Sequence, residues 1–217
     1  MKINPQKYRI AFVIDALYYP FTYPEILNSL ASRKYRIETP PPSLLGGARI
    51  YAKGNVASKD GCFIHLNEDR KVIACEGRSI DNVISSAKDI IDISTTDFKM
   101  NIPNDVDYCE LTGSVVILES GNPMDAIKAF SDGNYGVFDE ILGGESAGYS
   151  IRIVPKNGFP TDRSWFDIVI EPRFATANRE YYIEIVYRKE KDVESVLNFA
   201  TQLNMKIIAI INKIRGG

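Results

Sequence analysis

Two stretches of the chain carry residue types that could act chemically. In the first, Arg49, Tyr51, Lys53 and Asn55 alternate with Ile50, Ala52 and Val56, and a period of two puts the polar set on one face of a strand and the apolar set on the other. Cations and an amide contact phosphates, and an aromatic ring stacks on bases. Along Cys62–Leu66, His65 falls on the side of Phe63 and Asn67, opposite Cys62, Ile64 and Leu66. If the two strands share a sheet, Arg49, Tyr51, Lys53, Asn55, Phe63 and His65 form one candidate binding set.

The second stretch, Gly144-Glu145-Ser146-Ala147-Gly148, matches the GxSxG pattern of a serine nucleophile elbow. That device needs a strand-to-helix turn and a histidine later in the chain. The one histidine, His65, precedes the serine, and Tyr149–Val154 alternates as a strand. A glycine-rich connection is the expected reading. Asp139 and Glu140 fall on opposite faces if Gly136–Leu142 is a strand, so at most one could serve a common site; Asp167 and Glu171 form a second acidic pair. Three cysteines, Cys62, Cys75 and Cys109, have no CxxC or Cys/His spacing and read as free buried thiols. No metal site and no cofactor is expected.

The elements that must hold these residues follow from periodicity. Tyr8–Tyr19 reads as a strand, followed by a short helix with Thr22 as cap, Pro24 in its first turn and Ile26, Leu27 and Leu30 on one side. Tyr35–Thr39 alternates before Pro40, Pro41 and Pro42 stop it. The strand Arg49–Val56 comes next, then a hairpin of Cys62–Leu66 and Lys71–Cys75. Ser79 is placed to cap a helix carrying Ile80, Val83, Ile84, Ala87, Ile90 and Ile91 on one face.

Residues 95–108 break the pattern and are the expected linker between an N-terminal half, 1–94, and a C-terminal half, 109–217. The second half restarts with the strand Thr112–Leu118 and a helix opened by Asn122-Pro123. Strand-like runs follow at Gly136–Leu142, Tyr149–Val154, Trp165–Ile170 and Tyr181–Tyr187. A helix of about 22 residues from Val193 closes the chain, although periodicity alone leaves 205–214 open to strand. The expected class is α+β: two tandem β-α-β-β-β-β-α halves, with helices on one face of a curved antiparallel sheet.

From Ala48 to Ile93, a strand, a hairpin and the run Lys71-Val72-Ile73-Ala74-Cys75-Glu76-Gly77-Arg78-Ser79 lead into the amphipathic helix. This resembles a repeat of the TATA-binding-protein fold. The resemblance implies two repeats forming a saddle that kinks DNA with apolar wedges in the minor groove. Those wedge positions fall on Leu45 and Asn67. An amide is no apolar wedge, so the resemblance implies the fold and not TATA recognition.

The chain has 217 residues and a net charge of -2, which does not suit a protein coating nucleic acid through bulk charge. The charge is uneven, +3 over residues 1–94 and -5 over 95–217. No apolar leader or span-length apolar run occurs, so the cytoplasm is expected and a membrane is not. The leading expectation is a non-enzymatic binding module whose exposed sheet face contacts nucleic acid or another protein, with a homodimer as one form of the latter. The alternative is a hydrolase with a site between the halves, using Ser146 or second-half carboxylates.

Overall fold

Tyr8, Ile10, Phe12 and Ile14 are buried while Arg9 and Val13 between them are less so, the signature of a strand with one side in a core. In the computed structural model, which describes residues 1–17, 19–38 and 53–216, this strand, β1, spans Lys2–Ile14. It is followed by α1 (Glu25–Ser32), β2 (Arg36–Ile37), β3 (Lys53–Lys59), β4 (Cys62–Asn67), β5 (Val72–Gly77) and α2 (Ile80–Asp92). A π-helical turn at Ile93–Asp97 and α3 (Ile102–Asp105) lead into β6 (Val106–Leu118), α4 (Pro123–Phe130), α5 (Asp139–Leu142), β7 (Ile151–Ile153), β8 (Trp165–Pro172) and β9 (Glu180–Glu190). Two helices end the described chain, α6 (Val193–Thr201) and α7 (Leu203–Gly216).

The nine described strands form one curved antiparallel sheet in the order β2-β3-β4-β5-β1-β6-β9-β8-β7. β1 and β6 pair along nearly their whole length at its centre, with Ile10 opposite Leu111 and Phe12 opposite Cys109. The helices share one core with the sheet: Val83, Ala87 and Ile90 of α2, Ile127 of α4, Val196 of α6 and Ile207 and Ile211 of α7 join Ile10, Phe12, Ile64, Leu111 and Ile183. Each large aliphatic side chain so buried contributes roughly 1.5–3 kcal/mol. Local chemistry sets the helix starts. Ser79 Oγ accepts from Asn82 N–H at 3.3 Å, Asn122 Oδ1 from Met124 N–H at 3.1 Å, and Asp192 Oδ1 from Ser195 N–H at 2.9 Å.

Several expectations need correction. β1 begins before Pro5 and ends at Ile14, short of Tyr19. Pro5 is tolerated because residues 2–7 pair only with β6, while pairing with β5 starts at Tyr8, so the missing N–H faces an unpaired edge at an irregularity in register. α1 is preceded by Pro24 with no side-chain cap; the Thr22 hydroxyl donates to Tyr19 O instead. The described part of the expected strand Arg49–Val56 is β3, Lys53–Lys59, which runs three residues past Val56; Arg49, Ile50, Tyr51 and Ala52 lie outside the described residues, as do Thr39, the prolines 40–42 and Leu45. The linker expected over 95–108 already contains the start of β6 at Val106.

Gly136–Leu142 is not a strand. It forms a 3-10 turn, Gly136–Phe138, and the helical turn α5, closed by Gly143 at φ 70. Val137, Phe138, Ile141 and Leu142 recur at helical spacing, and the aromatic and β-branched composition masks that period. With α5, the second half has three strands after α4 where four were expected. Residues 205–214 are helical, and the C-terminal helix is interrupted at Gln202.

Candidate binding face

On the sheet side away from the helices, antiparallel register lines up side chains in rows. One row reads Asn55, His65, Ala74, Ala11, Glu110 and Arg188 across β3, β4, β5, β1, β6 and β9. The next reads Lys53, Asn67, Val72, Val13, Tyr108 and Glu190, and the row on the other side Phe63, Glu76, Arg9, Thr112 and Val186. Lys53, Asn55, Phe63 and His65 therefore share this open face, as their alternation predicts. A register shift between Asn55 and Ala57 keeps Val56 and Ala57 both buried beneath it. Phe63 is 41% exposed, an apolar ring presented to solvent. Arg49 and Tyr51 belong to the undescribed segment, and so does the wedge position Leu45; the other, Asn67, sits on the open face at the end of β4.

The rows form a bowl. Ala11, Ala74 and Val72 are buried together with Val13 packed on them, and no described helix residue joins this cluster. Ala11, Val13 and Val72 make a short-side-chain floor on β1 and β5, with His65 and Asn67 on β4 forming one wall and Tyr108 and Glu110 on β6 the other. Three strand spacings separate the walls, about 14 Å. Arg9 closes one end, Arg70 in the β4–β5 turn closes the other, and the cavity has a volume of about 600 Å³. That lies in the range of small-molecule sites, roughly 300–1,000 Å³.

Charges on the open face are mostly paired. Lys7 Nζ lies 2.8 Å from Glu76, Lys53 Nζ 3.2 Å from Asp69, and Arg163 Nε 2.6 Å from Asp107. Arg188 lies 2.6 Å from Glu110 with its guanidinium over the Tyr108 ring, and Arg152 pairs with Asp167. Arg9 and Arg70 differ: among the described residues neither guanidinium has a carboxylate or hydrogen-bond partner. His65 lines the bowl together with Arg9. Burial lowers its pKa, the Arg9 and Lys7 charges push it further down, and Glu76 opposes them. Its Nδ1 is shielded from water without a hydrogen-bond partner. The Asn67 side-chain oxygen accepts from Arg70 N–H at 3.1 Å, which orients its amide NH₂.

The GxSxG stretch is not a nucleophile elbow. Residues 145–150 have no regular structure, and Ser146 contributes its backbone N–H to Asp139 Oδ1 at 2.7 Å. Asp139 and Glu140 stand on the helical turn α5, so the expected placement on opposite strand faces does not apply. Asp167 and Glu171 do share the open face with Val169, Tyr182, Glu184 and Val186, and Asp167 is taken by Arg152. Cys62, Cys75 and Cys109 are free and buried. No group of three or more His, Cys, Asp or Glu side chains able to hold a metal occurs among the described residues. None of their helices is long and apolar enough to cross a membrane.

Arg9, Arg70 and Tyr108 escape the sequence reading. Arg9, Ala11 and Val13 alternate with buried residues in β1, and that signal places Arg9 opposite the core. What it lacks is the neighbour: β1 lies between β5 and β6, so Arg9 meets the row of Phe63 only through long-range pairing. No known protein family, curated protein or solved structure matches the chain.

Proposed function

We propose that this chain is a non-enzymatic binding module whose open sheet face receives single-stranded nucleic acid. The observation that carries the reading is the bowl with unpaired Arg9 and Arg70 at its two ends, set among Phe63, His65 and Tyr108. Guanidiniums without counter-charges attract phosphates, and exposed rings give bases a stacking surface. The carboxylates Glu76, Glu110, Asp167 and Glu184 on the same face repel the paired backbones of a duplex, so the proposed partner is a flexible strand able to place few phosphates on few cations.

The fold proposed for this face is like that of the TATA-binding protein. Supporting it, β5-β4-β3-β2 extend outward from β1 as β9-β8-β7 extend from β6. Duplex kinking is not part of the proposal, because Asn67 offers no apolar wedge and the second half's side of the face is largely neutralised by ion pairs.

Fluorescence anisotropy with labelled mixed-sequence single-stranded RNA and DNA, at about 50 and 200 mM salt, tests the reading. Binding that weakens as salt rises, and exceeds binding to the same sequence as duplex, is expected. No binding at about 50 mM salt rejects nucleic acid and leaves the face to a protein partner, including a second copy of this chain, which sedimentation would detect.

A further inference from the structure

The bowl is more selective in shape than a general electrostatic surface. Its floor is Ala11, Val13 and Val72, three short apolar side chains on adjacent strands. Long side chains stand around them, so the depression is flat-bottomed, apolar below and polar at the rim. A flat floor between walls about 14 Å apart accepts a planar ring and excludes a bulky globular group. Tyr108 adds an aromatic wall, held by the Arg188 guanidinium 4.9 Å over its ring. Asn67, with its oxygen committed to Arg70 N–H, keeps its NH₂ as the donor on this wall of the bowl.

The two ends differ in charge. Near Arg9 the cations Lys7 and Arg9 and the imidazole of His65 converge, and Glu76, directly opposite Arg9, is already paired to Lys7. An anion at that end meets an unpaired guanidinium and favours the protonated form of His65, which burial and Arg9 disfavour. Charge-assisted hydrogen bonds of this kind are the stronger class.

We propose that the bowl holds a planar ring bearing one anionic group, the chemistry of a nucleoside monophosphate unit, with the anion at Arg9 and His65 and the ring on Ala11, Val13 and Val72 beside Tyr108. This rests on the open-face reading and narrows it to one seat. The unit can come from a free mononucleotide or from one nucleotide of a strand.

Because His65 is the single histidine of the chain, its imidazole resonances report on the bowl without ambiguity. The full-length protein is titrated by NMR and calorimetry with adenosine monophosphate, adenosine, inorganic phosphate and an eight-nucleotide oligoadenylate. Adenosine monophosphate is expected to shift the His65 signals saturably, and adenosine or phosphate alone to bind at least about tenfold more weakly. Arg9→Gln, which removes the charge, and Ala11→Leu, which fills the floor, are each expected to weaken that binding about tenfold or more while urea unfolding confirms that both fold. Oligoadenylate binding at least tenfold tighter than the monophosphate, with the same His65 shift, assigns the seat to a strand; equal affinities assign it to a free nucleotide. Wild-type affinity in both variants overturns the seat, as does a His65 signal unmoved by the monophosphate and the oligonucleotide. If the oligonucleotide binds wild type and both variants alike, the seat falls and the open-face reading survives. If only the monophosphate binds, the strand reading falls and the seat stands.

Discussion

The Arg188 guanidinium lies 2.6 Å from the Glu110 carboxylate across β9 and β6, with both side chains more than four-fifths buried. It also donates to Asp162 O at 3.0 Å, anchoring the loop before β8 to the open face. Removing one member of such a pair strands the other charge in a poorly hydrated site. Arg188→Ala is expected to cost about 2–3 kcal/mol in urea unfolding. In a double-mutant cycle, Arg188→Ala with Glu110→Ala should cost less than the sum of the single changes. Additive costs would show that the two charges do not support each other.

Tyr8 and Gly113 face each other at the centre of the sheet, where a Cβ on Gly113 would sit 2.8 Å from Tyr8 Cδ1. The Tyr8 ring is fully buried and cannot swing away. Gly113→Ala should therefore destabilise by about 1–3 kcal/mol through overpacking. The Tyr8 hydroxyl is buried without a partner, so Tyr8→Phe removes an unsatisfied group and is expected to leave stability unchanged or raise it. A loss above about 1 kcal/mol for Tyr8→Phe would reveal a hydrogen bond to that hydroxyl.

His65 gives stability a pH dependence of definite sign. Its folded pKa lies below the ordinary value because of burial and then Arg9, with Lys7 adding to the effect and Glu76 opposing it. The unfolded chain therefore binds the proton more readily, and stability falls as pH drops from about 6.5 toward the folded value, then levels off. Chemical denaturation of wild type and His65→Asn between pH 5 and 7.5 checks this. The variant should show a shallower decline, and parallel curves would refute the assignment. A bound phosphate should raise the His65 pKa.

Asp192 caps α6 through Ser195 N–H at 2.9 Å, and its other oxygen accepts from the Ser195 hydroxyl at 2.6 Å. These bonds hold the carboxyl below its usual pKa, the hydroxyl contributing most. The stabilisation is complete above the unfolded value near 3.9 and is lost as pH falls through the lower folded one. Asp192→Ala should cost about 1 kcal/mol at pH 7. Asp192→Asn, which retains a capping oxygen, should cost less, and equal losses would argue against capping.

The strand–hairpin–helix run from Cys62 to Ile91 is legible in the sequence because each element there obeys one period and one local rule. Residues on β4 alternate strictly, the turn at 67–70 is polar, and Ser79 stands where an orphan N–H needs an acceptor. The placement of Lys53, Asn55, Phe63 and His65 on a common face follows from the same alternation. Gly136–Leu142 misleads because its composition favours a strand while its spacing is helical, and its exposed apolar side chains have no neighbouring strand to decide between them. The bowl is less legible still. Arg9, Arg70 and Tyr108 lie 38 to 99 positions apart along the chain, and no local period relates them.

By itself, the sequence determined which residues alternate, where the helices capped by Ser79, Asn122 and Asp192 start, that the thiols are unspaced for metal, and that one sheet side carries polar and aromatic side chains. These are properties of neighbours along the chain, governed by backbone geometry and capping. Only the tertiary structure decided that β1 and β6 meet at the centre, bringing short side chains from β1 and β5 between taller ones from β4 and β6. Strand pairing across long sequence separation is set by the burial of a shared core, and the bowl on the opposite face is a consequence of that register.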